Sequence, residues 1–127
     1  MLRRRPLRAS FLDAFAGIAL ALRTQRNMRI HFVAAVLVLL SALLLRVAAA
    51  EAAFLLTAIG FVLVAEMFNT AVEKSVDLAT DDYNPLAAAA KNIAAGAVLI
   101  AAVNAVIVGW LIFAPRLLPL LCRLFAG

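Results

Sequence analysis

From Ile93 to Phe113 the chain runs without a charged side chain. A stretch of that length matches the roughly 20 apolar residues that cross the hydrocarbon core of a bilayer as an α-helix. Two further apolar segments precede it. One extends from Ile30 to Leu45 between Arg29 and Arg46, and the alanines after Val47 lengthen it. The other is uncharged from Ala52 to Ala65, and its helical pattern continues through Glu66 to about Leu78. "RVAAAE" joins the first pair and "ATDDYNPL" the second. In the latter, Asn84-Pro85 reads as an N-cap followed by proline at the first helical position.

The composition agrees with a lipid-embedded chain. Hydrophobic residues make up 67% of the 127 residues and charged residues 15%, against about 25% charged in soluble domains. A soluble fold this short has too little interior for so much apolar surface. The net charge of +5 is carried mostly by arginine. The cations cluster at one end with few aromatics among them, which fits a membrane surface and excludes nucleic acid as the expected partner. Cys122 is the only cysteine, so no intrachain disulfide forms.

The N-terminal segment is read as an amphipathic helix lying on the membrane. Phe11, Ala14, Phe15, Ile18 and Leu22 recur at helical spacing, with arginines on the opposite side. Asp13 interrupts the apolar stretch and argues against a cleaved leader. The expected fold is all-α: a single domain over residues 1–127, with a surface helix over about 8–25 and spans over about 29–48, 51–79 and 85–114. Arg3, Arg4, Arg5, Arg8, Arg23, Arg26 and Arg29 precede the first span, whereas Arg46 alone follows it. This asymmetry predicts a cytoplasmic N-terminus, a cytoplasmic "ATDDYNPL" turn and an external C-terminus.

The second span carries the chemistry. In "EMFNTAVEKSVD", Glu66, Asn69, Glu73 and Asp77 recur at helical spacing. At about 100° per residue they fall in one stripe, with Glu66 deepest and Asp77 nearest the cytoplasm. An intramembrane carboxylate marks a functional site by default. Lys91, on the returning helix, is expected at the depth of Glu73. Asp81 and Asp82 read as solvated acids, and His31, the only histidine, as an interfacial residue rather than a metal ligand. Two in-line carboxylates, an amide and a lysine can hold Mg2+ and a polyphosphate. No G-x-x-x-x-G-K motif is present, so metal and side chains would have to hold a nucleotide. On chemistry alone, a small proton- or cation-coupled transporter using Glu66 remains an alternative.

"AEMFNTAVEKSVDL" closely resembles the signature of the prokaryotic membrane lipid kinases, the family of diacylglycerol kinase and undecaprenol kinase, approximately E-x-x-N-[ST]-A-[IV]-E-x-x-x-D. "AKNIAAGAVLIAA" and "AFAGIALALRTQRNMRIH" resemble two further segments of that family, in the same order. The "NMRIH" and "LAAAAKNIAAGAVL" wording leans toward undecaprenol kinase. The resemblance implies an ATP-dependent lipid kinase of the bacterial inner membrane, homotrimeric, with its sites between subunits and Mg2+ as cofactor. It implies Glu66 as catalytic base, Asn69 beside the reacting centre, and Glu73 as a metal ligand. It places Asp77, Lys91 and Gly17 near the nucleotide. Two positions depart from the family pattern. Its N-terminal metal-binding glutamate is Gln25 here, and the aspartate after the motif lysine is Asn92, a second nucleotide-side position. Both changes replace a carboxylate with a neutral amide, which implies weaker metal binding with the fold kept; a catalytically weakened member of the family is the second alternative.

Overall fold

The computed structural model describes residues 6–125, and among them every regular element is an α-helix. The order is α1 (Leu7–Thr24), α2 (Arg26–Leu44), α3 (Ala49–Ala79) and α4 (Pro85–Phe125). The last three are long and apolar enough to cross a membrane. Arg3, Arg4 and Arg5, which carry part of the orientation argument, lie outside the described residues.

α3 is the central element. α4 packs along it, α2 packs on it from another side, and α1 touches both α2 and α3. The core is small. Ala42, Leu55 and Ile112 form its buried centre, with Val38, Val47, Val108 and Phe113 packed around them. Elsewhere bulky apolar side chains face outward, among them Leu37, Phe54, Phe61, Phe68 and Trp110. In water such a surface would be an association hazard. In hydrocarbon it is the face turned to the solvent.

The helix ends have local causes. α2 closes with Arg46 in the left-handed region at φ 51°. The Arg46 N–H donates to the Leu43 carbonyl at 3.2 Å and the Val47 N–H to the Ala42 carbonyl at 2.9 Å. This is the hydrogen-bond pattern of a Schellman stop, with arginine in the place glycine usually takes. The first span therefore ends at Leu44, short of the expected residue 48, and begins at Arg26 rather than 29. α3 opens with the Ala48 N–H donating to Glu51 Oε2 at 3.1 Å. Asn84 caps α4 as expected: its Oδ1 accepts from Leu86 N at 2.8 Å, with Pro85 at the first helical position.

The third span differs most from expectation. α4 does not stop near residue 114 but continues to Phe125, through Pro115 and Pro119. Its 41 residues extend about 60 Å, roughly twice the hydrocarbon thickness. Arg116 anchors this continuation. Its Nη1 donates to the Ile112 carbonyl at 2.7 Å and to Glu51 Oε1 at 3.1 Å, and its Nη2 to Glu51 Oε2 at 2.6 Å. Proline removes backbone donors, and a helix tolerates it where side chains satisfy the neighbouring carbonyls.

Candidate active site

The buried face of α3 runs Leu55, Ala58, Val62, Glu66, Asn69, with Thr70 beside it. Steps of three and four residues are the spacing of a packed helical seam. Glu66 and Asn69 thus occupy core positions of a seam that begins with aliphatic residues. Glu66 is 2% exposed. Thr70 donates its hydroxyl to the Glu66 carbonyl at 2.9 Å, which satisfies the hydroxyl within the helix.

Two buried oxygens in this seam have no hydrogen-bond partner: Glu66 Oε2 and Asn69 Oδ1. Leaving a buried polar group unmatched costs about 1–3 kcal/mol, and more when it is charged. Such atoms are few in folded proteins, and each calls for an explanation. Here both lie on one face, one turn apart. Asn69 Nδ2 donates to Glu73 Oε1 at 3.0 Å, so the amide links the deep carboxylate's level to the next one out. Exposure then rises along the stripe, from buried Glu66 and Asn69 through half-buried Glu73 to exposed Asp77. The graded depth expected from helical spacing is present.

Lys91 is a correction. Its Nζ pairs with Asp77 Oδ1 at 2.5 Å rather than lying opposite Glu73. The Cα–Cβ bond tilts toward the N-terminus of its own helix. On α4 that tilt carries Lys91 toward the turn; on the antiparallel α3 it carries Glu73 away from the turn. The two diverge, and Asp77, one turn nearer the loop, meets the ammonium instead.

The remaining sequence-chosen residues are not joined to this group by side-chain hydrogen bonds. Gln25 is half-buried between α1 and α2, its backbone N–H donating to the Ala21 carbonyl at 2.8 Å. Asn92 is exposed on α4 and Gly17 on α1. A Cβ added at Gly17 meets nothing within 4 Å, so no close packing in the single chain requires that glycine. Among the described residues no three His, Cys, Asp or Glu side chains converge as a complete metal site. The donor class nevertheless suits a hard cation. The Glu73 carboxylate, the unmatched Asn69 Oδ1 and the Gln25 amide oxygen are all oxygen donors, and Mg2+ usually takes only one or two carboxylates besides water and phosphate.

Two clefts flank the stripe. One, of about 570 Å3, lies between α3 and α4 beside Asn69, with Ala65, Phe68 and Val72 facing Ala90 and Ala94. The other, of about 640 Å3, lies among α2, α3 and α4, lined by aliphatic and aromatic side chains with His31 at one end. Sequence reasoning gave His31 no part in the site. The signal was available in its spacing: Met28, Ala35 and Ala42 are the buried residues of α2, and His31 falls on their stripe.

Apolar spanning helices around a buried, unmatched carboxylate define a helical multi-pass membrane protein with a polar site at one end of its central helix. The chain belongs to the prokaryotic diacylglycerol kinase family, whose sequence pattern matches residues 13–113. It is 44% identical over 108 residues to an undecaprenol kinase of Bacillus subtilis (strain 168), covering 85% of this chain and 88% of that protein. It is 46% identical over 116 residues to a diacylglycerol kinase of Synechocystis sp. (strain ATCC 27184 / PCC 6803 / Kazusa), covering 91% of this chain and 66% of that protein. The protein is a membrane lipid kinase.

Proposed function

We propose that the protein transfers the γ-phosphate of ATP to the hydroxyl group of a membrane lipid alcohol, with undecaprenol preferred over diacylglycerol. The observation that carries this reading is Glu66: a core carboxylate with one oxygen unmatched, on the same face as Asn69 and Glu73. The preference for undecaprenol is supported by the relative of that name, which this chain matches over 88% of its length.

Glu66 accepts the proton of the lipid hydroxyl as the oxygen attacks the γ-phosphorus. A positioned base of this kind is worth about 10²–10⁴ in rate. The bond between the γ-phosphorus and the bridging oxygen breaks, and ADP leaves. Asn69 orients the Glu73 carboxylate through its amide donor. Mg2+ held by Glu73, with Gln25 and Asn69 as neutral oxygen donors, would supply charge neutralisation on the phosphates. Lys91, poised by Asp77, adds a cation for the nucleotide phosphates, with Asn92 and the open face at Gly17 on the nucleotide side. α1 lies at the cytoplasmic interface, its exposed Phe11 and Phe15 in the headgroup region. Three copies assemble around the exposed apolar faces and complete the nucleotide site between them. With the N-terminus in the cytoplasm of the inner membrane, ATP approaches from the end where Asp77 is exposed.

The test uses purified protein in detergent with Mg2+, γ-labelled ATP and either undecaprenol or diacylglycerol. Label entering the lipid, and lost in Glu66→Gln, is the expected result. No transfer to either lipid would defeat the reading.

A further inference from the structure

His31 and Glu66 stand at the same level of two antiparallel helices. Ala42 of α2 and Leu55 of α3 share the core cluster. His31 lies as many residues inward from Ala42 as Glu66 does from Leu55, about 16 Å along each axis. On α2, His31 is one turn from Met28 and one from Ala35, both buried, so it belongs to the stripe turned toward α3. On α3, Val62 lines the same cleft as His31 and precedes Glu66 by one turn. The imidazole is close enough for its charge to act on the Glu66 carboxylate.

The cleft that starts at His31 is otherwise apolar. Ala34, Ala35 and Val38 of α2 face Ala102 and Ala105 of α4 across the Val62 edge of α3. A cavity with apolar walls, one imidazole at its end and an unmatched carboxylate oxygen beside that end has the polarity of a long-chain alcohol. Hydrocarbon suits the walls and a hydroxyl suits the end.

We infer that His31 is a substrate-binding residue: its imidazole N–H donates to the hydroxyl oxygen of the lipid alcohol, whose proton faces Glu66 and whose chain lies in the cleft among α2, α3 and α4. The inference rests on the kinase reading above and adds to it a second polar contact at the acceptor. A hydroxyl oxygen has two lone pairs. One attacks phosphorus and the other accepts from His31, so the contact is made equally before and during transfer. Its loss then weakens lipid binding and leaves turnover alone.

The protein has a single histidine, so imidazole 15N resonances of the detergent-solubilised protein report on this residue without assignment by mutation. Addition of undecaprenol or diacylglycerol without nucleotide is expected to shift them, and ATP alone to leave them in place. In steady-state assays, His31→Leu is expected to raise KM for the lipid about tenfold, the effect of one lost hydrogen bond. KM for ATP and kcat should stay within about twofold, and His31→Gln, which keeps a donor, should recover most of the loss. Lipid transfer by the unmodified protein with unmoved imidazole resonances overturns the inference and leaves the kinase reading intact. Resonances that ignore lipid but move on dilution of the protein give the cleft to a second copy and also overturn it. An equal rise in both KM values marks a disturbed bundle and counts against it. If the Leu variant does not fold, the resonance measurement decides by itself. Failure of the unmodified protein to phosphorylate any lipid alcohol overturns both readings.

Discussion

Asn69 donates its side-chain amide to Glu73 Oε1 at 3.0 Å while its own Oδ1, buried, has no partner. The residue is thus half committed. Its donor fixes a carboxylate one turn nearer the cytoplasm, and its acceptor faces the level of Glu66.

That arrangement makes Asn69 a test of how Glu73 is oriented. Asn69→Leu keeps the volume and removes the donor. We expect the Mg2+ concentration for half-maximal activity to rise about 10-fold or more, as for other groups that orient metal ligands. Activity measured across a Mg2+ titration at saturating lipid and ATP gives the result directly. An unchanged requirement would separate Asn69 from the metal.

Glu66→Gln keeps the shape of the side chain and removes its capacity to take a proton. We expect kcat to fall about 10²–10⁴-fold, with helicity by circular dichroism unchanged. A fall of less than about tenfold would mean that another group takes the proton.

Gln25→Glu restores a carboxylate between α1 and α2. If Gln25 lies at the metal, the added charge should lower the Mg2+ requirement. The same titration reads it, and an unaltered requirement in an active protein removes Gln25 from the site.

Lys91→Gln should raise KM for ATP while KM for the lipid stays constant, because a cation that serves the phosphates is lost. Asp77 then loses its partner at 2.5 Å as well, so Asp77→Asn is the matching control. If the pair merely closes the α3–α4 end, both variants will lower thermal stability alike and leave KM for ATP alone.

At the far end of the bundle, Arg116→Ala should lower the unfolding midpoint in detergent, since it removes two hydrogen bonds to Glu51 and one to the Ile112 carbonyl. Turnover at a temperature where the variant is folded should not change, because the pair sits at the opposite end of α3 from Glu66. The double exchange Glu51→Arg with Arg116→Glu should recover part of the midpoint if the ion pair, rather than the Ile112 contact, dominates.

The sequence by itself determined whatever depends on one helix at a time. Charge-free length gave the three spans, Asn84-Pro85 gave the start of α4, and 3.6-residue periodicity put Glu66, Asn69, Glu73 and Asp77 in one stripe of graded depth. These features follow from backbone geometry and from the cost of charge in hydrocarbon, both legible in a linear chain. The tertiary structure decided what depends on the register between helices. Lys91 meets Asp77 rather than Glu73, His31 stands level with Glu66, and Arg116 reaches Glu51 across the bundle. It also decided that α2 stops at Arg46 without a glycine and that α4 passes through two prolines. Each of these turns on a few ångströms of axial offset and on the tilt of side chains between packed neighbours, and periodicity along one helix carries no information about either.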